Sequence, residues 1–211
     1  MKVIKPSIQI LDDLDGMTIL KHIERAGRTC YKSEDKITDD SCLKFVKNVV
    51  ARGHESVIEH EKVSVLIVCD RGVTHEIVRH RIASYSQEST RYCNYGDDKF
   101  GNELTFIQPC FWEENSEVYV MWWRMMQQIE QIYLNMMQRG VPPQEARAIL
   151  PNSLKTEIVV TMNMREWRHF LKLRTSPASH PQIREVAYMI LKEFKEKIPV
   201  LFDDIESEEK Q

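Results

Sequence analysis

The sequence predicts an α+β fold: a single domain in which a small, mostly antiparallel sheet is flanked by helices. Three observations carry this. Short β-branched runs are interspersed with longer segments of helical apolar spacing. No internal repeat or Gly/Pro/Ser-rich linker divides the 211 residues. A hydrophobic fraction of 42% beside 29% charged residues suits an ordinary globular core.

Val3 to Leu11 alternates loosely and contains Pro6, which predicts an edge strand, with a turn over Asp12 to Gly16. Thr18 to Tyr31 and Asp39 to Ala51 read as helices, the second capped by Asp39 or Asp40. Glu61 to Cys69 is β-branched and half alternating, hence a strand, after which Gly72 admits a helix from Val73 to about Ile82. Leu104 to Gln108 is a short strand ending before Pro109. Ser116 to Gln138 is the longest helix, with Val118, Trp122, Met125, Ile129, Ile132 and Met136 at alternating steps of four and three. Tyr119, Trp123, Met126, Tyr133 and Met137 form an adjoining apolar face, which predicts core plus subunit contact in preference to a Met/Trp cofactor box. Pro142 and Pro143 open a short helix through Leu150. A strand at Glu157 to Met162 and helices at Arg165 to Arg174 and His180 to Lys195 follow, and the charged tail Asp203 to Gln211 is expected to fray.

Composition excludes several classes. With 29 Lys+Arg against 32 Asp+Glu, the net charge of −3 argues against a generally basic nucleic-acid coat. No apolar run approaches the roughly 18 residues of a membrane span, and no apolar stretch follows the first lysines as a secretory signal would require, so a cytoplasmic location is expected. The five cysteines form no Cys-x-x-Cys pair and read mostly as buried reduced thiols.

The seven glycines give neither a Rossmann fingerprint nor a Walker loop, so any bound phosphate must be met by side chains and helix ends. Arg79-His80-Arg81 leads into a stretch ending Gln87-Glu88-Ser89-Thr90-Arg91-Tyr92, dense in donors suited to a phosphate and a base edge. On a helix Arg79 and Arg81 would point about 200° apart, so either the helix ends here or they serve different ligands. The Ser/Gln/Thr run favours an irregular loop, and a solvated helix end is the bland alternative. Between Arg165 and Arg184 five basic residues oppose one carboxylate. Arg174 follows Phe170, Leu171 and Leu173, and near an apolar face it would stabilise an anion strongly because water screens it less. His54, Glu59, His60, His75 and His80 are potential metal ligands, but position 58 is Ile where a zincin helix needs His, and no metal site is predicted.

Arg79-His80-Arg81, seven intervening residues and then Ser89 resemble the signature of flavin-dependent thymidylate synthases. Gly53-His54-Glu55-Ser56, Ala146-Arg147 with Leu150-Pro151, and Thr161-x-Asn163-x-Arg165 leading to Phe170-Leu171-x-Leu173-Arg174 are similar to further family segments in the expected order. The likeness covers roughly residues 50 to 195. It implies a homotetramer with sites between subunits, binding FAD, dUMP and methylenetetrahydrofolate with NADPH as reductant, and no nucleic-acid or membrane partner. By that likeness His54, Ser56, Arg79, His80, Arg81, Asn163, Arg165 and His169 meet the cofactor. Glu76, Arg79, Gln87, Glu88, Ser89, Thr90, Arg91, Arg147 and Arg174 surround dUMP, and Arg174 is the catalytic polariser of the uracil ring.

These roles are physically reasonable. Arg91 and Arg147 are charge-assisted donors for a phosphate, and Arg174 lowers the cost of negative charge on uracil as C5 becomes nucleophilic. Of the cysteines only Cys93 falls close to the matched segments, so no thiol attack on C6 is expected and Ser89 is a ligand, not a nucleophile. Many relatives have Gln at Glu76, Asn at Ser86, Glu at Gln87 and Asn at His169, and a shorter segment between Arg174 and His180. A paralogue acting on another pyrimidine nucleotide, a His-dependent metallohydrolase and a non-catalytic nucleotide- or RNA-binding module are the rival readings.

Overall fold

The computed structural model describes residues 1–206; residues 207–211, the end of the tail expected to fray, lie outside the described residues. In chain order the elements are β1 (Lys2–Ile4), β2 (Ser7–Ile10), α1 (Gly16–Thr29), α2 (Ser41–Ala51), β3 (Lys62–Asp70), α3 (Arg71–Ile77), β4 (Ala83–Gln87), β5 (Thr105–Ile107), α4 (Glu117–Gln138), α5 (Pro143–Ala146), β6 (Lys155–Asn163), α6 (Met164–Arg174), α7 (Pro181–Lys197) and α8 (Pro199–Phe202). The chain is α+β, as predicted. It divides into two compact units, the first comprising Met1–Ser7, Ile67–Arg79 and Ser86–Ile158, the second Ile8–Leu66, His80–Tyr85 and Val159 onward.

The main sheet has the order β2-β3-β6-β4. β3 and β6 run antiparallel: Met164 N donates to Glu61 O at 2.9 Å, the Ser64 and Thr161 hydroxyls meet at 2.9 Å, and Arg71 N donates to Leu154 O at 3.1 Å. β1 and β5 form a separate parallel pair, Lys2 opposite Thr105 and Ile4 opposite Ile107.

Three differences from the sequence reading have local causes. Pro6, which has no N–H to give a ladder, separates β1 from β2 where one strand was predicted. The helix expected to reach Ile82 ends at Ile77, and β4 occupies part of the expected irregular loop. There Ala83, Tyr85 and Gln87 are half-buried while Ser84 and Ser86 are exposed, a period of two that the run of polar residues concealed. Asp40 does occupy the N-cap of α2, but its carboxylate accepts from the Thr38 hydroxyl at 3.0 Å instead of capping the helix.

In the first unit, the core gathers Tyr95, Leu104, Phe106, Met126, Tyr133, Ala146 and Leu154. Ser116 caps α4, its Oγ accepting from Tyr119 N at 3.2 Å. The face of α4 turned to this core carries Met126 and Tyr133, with Trp122, Ile129, Met136 and Met137 partly buried beside them. Val118, Met121, Met125 and Ile132, at steps of three, four and seven, remain exposed, so only part of the apolar surface of α4 is used by this core.

In the second unit, Trp167, Phe170, Phe194 and Phe202 are fully buried and meet largely edge to face, Trp167 lying 5.6 Å from Phe170 and 5.5 Å from Phe194. Each such ring contributes about 2–3 kcal/mol of burial. Trp167 Nε1 donates to Val63 O at 2.9 Å, fixing α6 against β3. Arg168 is only 2% exposed: Asp204 receives it through two 2.7 Å bonds, and the Leu201 carbonyl and Glu55 complete its surroundings. Asp204 and the buried Ile205 thus hold the first part of the tail expected to fray. Two of the five cysteines, Cys42 and Cys69, are buried; Cys93 is intermediate, and Cys30 and Cys110 are exposed, against the expectation that most would be buried. Among the described residues no helix is long and apolar enough to cross a membrane.

Candidate active site

The second unit builds a buried polar cluster around His80. With α3 finished at Ile77, the Arg-His-Arg segment is not helical, and the angular separation that a helix would impose on Arg79 and Arg81 does not apply. Both arginines are exposed, whereas His80 is 4% exposed. Helix α6 surrounds that imidazole. Asn163 caps the helix, its Oδ1 accepting from Glu166 N at 2.9 Å. Glu166, Phe170 and Arg174 then follow at intervals of four, on one face. Glu166 Oε1 lies 3.0 Å from His80 Nδ1, the Phe170 ring stands edge-on at 4.9 Å, and Arg174 Nε donates to His80 Nε2 at 3.1 Å.

These partners assign the tautomer. A guanidinium only donates, so Nε2 must accept and Nδ1 must carry the proton toward the carboxylate. Burial lowers the pKa of His80, and Arg174 and His169 add to this while Glu166 works the other way, so the ring is neutral at neutral pH. The Tyr85 hydroxyl donates to the His80 carbonyl. Its phenol is pushed up to about 12 by burial and by Glu166, and so keeps its proton.

Two cavities each gather more than one predicted site residue. Asn163, Arg165 and His169 share a cleft of about 450 Å³ with Glu55, Glu59 and Glu166. Arg165 is tied there to Glu59 at 2.5 Å and to Glu55 at 3.8 Å. His54 and Ser56 line a different cavity, of about 670 Å³, with Arg28, Lys36, Arg52 and the Phe45 ring. Its cations, hydroxyls and aromatic rings suit a flat anionic ligand, with Arg28 also paired to Glu24 at 2.8 Å. The carboxylate-rich cleft suits the hydrogen-bonding edge of a ring and opposes a phosphate. Gly27 forms part of the larger cavity's wall, where a Cβ would come within 2.6 Å of Phe45.

The first unit holds most of the predicted substrate residues. Gln87 Nε2 donates to the hydroxyls of Thr74 and Thr156 at 3.1 and 3.3 Å. The Glu88 carboxylate is engaged by Tyr95 at 2.7 Å and Lys155 at 3.0 Å, so it shapes the segment from inside. Ser89 Oγ accepts from Arg91 N at 3.3 Å and Thr90 is buried. Glu76 is half-buried, while Arg91 and Arg147 are exposed cations. Cys93 has its pKa raised by burial and by Glu88, which disfavours a thiolate nucleophile.

Of the residues weighed as potential metal ligands, His80 alone enters a compact group among the described residues, with Glu166 and His169, their donor atoms within 4.8 Å of one another. The Arg174 guanidinium beside His80 opposes a second cation there. Sequence reading missed Glu166, Tyr85, Arg28, Lys36 and Arg52. The spacing of Glu166, Phe170 and Arg174 at intervals of four was the signal that could have found Glu166.

The family model described as thymidylate synthase complementing protein matches residues 14–200. A flavin-dependent thymidylate synthase of Pyrococcus furiosus is 36% identical over 185 residues, 87% of this chain and 75% of that protein. The chain belongs to the flavin-dependent thymidylate synthase family. A second family member, from Mycobacterium avium, is 33% identical over 95% of this chain and 84% of its own length. In fold, the chain resembles the UMP/dUMP methylase PolB of Streptomyces cacaoi, solved with 5-Br dUMP, with a TM-score of 0.78, 22% identity and 96% of each chain covered. The Arg-His-Arg segment and Arg174, which the sequence likeness to this family singled out, are the residues that meet at His80.

Proposed function

We propose that this protein, acting as one catalytic domain, converts dUMP to dTMP, with methylenetetrahydrofolate as one-carbon donor and FAD reduced by NADPH as hydride source. The observation that carries the reading is Arg174 seated on the buried imidazole of the Arg-His-Arg segment, in a chain belonging to the flavin-dependent thymidylate synthase family. Arg91 and Arg147 supply charge-assisted donors to the nucleotide phosphate, with Ser89 and Thr90 beside them. Glu76, Gln87 and Glu88 border the nucleoside. Arg174 stabilises negative charge developing on uracil, making C5 the nucleophile without a covalent enzyme adduct. His54, Ser56, Arg79, His80, Arg81, Asn163, Arg165 and His169 hold the flavin, which when bound supplies the redox chemistry. The exposed apolar stripe of α4 supports a homotetramer with shared sites, and the enzyme works in the cytoplasm.

The test is incubation of the purified protein with FAD, NADPH, methylenetetrahydrofolate and dUMP. dTMP is expected from the full mixture and none after the flavin is stripped. No dTMP from flavin-loaded protein would refute the proposal.

A further inference from the structure

Resting on that reading, we infer that Glu166 is a positioning residue: through His80 it fixes the imidazole tautomer that receives the Arg174 N–H, and thereby sets where that guanidinium points. A neutral imidazole offers one donor and one acceptor, and the bond made by one nitrogen decides the state of the other. Arg174 Nε, 3.1 Å from Nε2, can only donate. Were the proton on Nε2, two donors would face each other and the bond would be lost. The Glu166 carboxylate, acceptor only, stands 3.0 Å from Nδ1 and draws the proton to that nitrogen. Exposures of 4% for His80 and 8% for Glu166 leave little room for water to substitute for either partner.

The support is built from both directions. Phe170 stands edge-on to the ring at 4.9 Å, and Tyr85 holds the His80 carbonyl, so ring and backbone are each restrained. Glu166 is anchored in the first turn of α6, its N–H on the Asn163 cap. Arg174 leaves the last turn of the same helix, so one rigid element carries both ends of the relay and His80 is its middle.

Two measurements test this in the full-length protein. In the ligand-free state, nitrogen-15 shifts of the His80 ring, assigned by their loss in His80→Gln, should show Nδ1 protonated and Nε2 bare. Glu166→Ala should move the proton to Nε2, and Glu166→Gln, whose amide oxygen still accepts, should not. Should the alanine variant fail to fold, Glu166→Met, which preserves the volume, replaces it. In the dTMP assay Glu166→Ala should lower kcat at least about tenfold while KM for dUMP moves less than about threefold, and Glu166→Gln should recover kcat to within about threefold of the wild type. A wild-type ring protonated on Nε2, equal losses in the two variants, or full turnover in Glu166→Ala would overturn the inference. Absence of dTMP from the wild type would sink the functional reading instead, leaving the ring spectra to decide this one.

Discussion

Helix α6 buries Arg168 and Glu166, whereas helix α4 leaves Met121, Met125 and Ile132 in solvent. The two helices belong to different units, and the contrast lies in how each polar or apolar group is satisfied. On α6 the charges are answered locally: Arg168 by Asp204 and Glu55, Glu166 by His80. On α4 the apolar stripe has no such local answer within the first unit's core, which engages the adjoining face of the helix through Met126 and Tyr133. Burial follows the partners available, and residue type alone misjudges it on both helices.

The largest expected effect breaks the α6 side of this contrast. Arg168→Ala removes a buried side chain and the charged bonds it gives to Asp204 and Glu55, and should lose about 2–4 kcal/mol in urea denaturation. A loss under about 1 kcal/mol would mean the ion pair is effectively solvated. Arg174→Ala, on the same helix, should instead lower dTMP turnover about a hundredfold or more, about 2.7 kcal/mol in the barrier, with little change in the urea midpoint. Equal effects of the two variants on stability would erase the distinction between a structural and a catalytic arginine.

On the α4 side, Ile132→Glu combined with Met125→Glu should weaken self-association, with each lost apolar contact worth about 2 kcal/mol or roughly 30-fold. Sedimentation of the wild type as an oligomer and of the variant as a smaller species is the expected result. A monomeric, fully active wild type would show that the stripe serves no copy of the chain.

Most of the architecture was legible because it rests on local periodicity. The 22-residue α4 and the 14-residue α1 have strong apolar spacing, and their boundaries carry Ser116 and Asp15 as caps. β4 was not legible, since a short edge strand of Ala83, Ser84, Tyr85, Ser86 and Gln87 has the composition of a loop. The two sides of α4 could not be ranked, because Val118 and Met126 look alike until one knows which faces Tyr95 and Phe106. At the site, the Arg-His-Arg motif and Arg174 were visible as motif residues. Glu166 was not, since its role depends on contact with His80, 86 positions away in sequence.

The smallest expected effect concerns protons and separates His80 from Asp204. Burial holds the folded pKa of His80 below its ordinary value of 6.5, so between the folded and unfolded values the unfolded chain binds more protons. The stability linked to His80 is therefore complete above about pH 6.5 and lost as pH falls from there toward the folded value. Arg168 holds Asp204 below its ordinary 3.8, so that contribution is complete above 3.8 and disappears only in stronger acid. Urea midpoints measured from pH 7.5 down to pH 3 should therefore fall in two steps, the earlier absent in His80→Gln and the later reduced in Asp204→Asn. Persistence of the first step in His80→Gln would assign it to another group and leave the buried imidazole without a role in acid sensitivity.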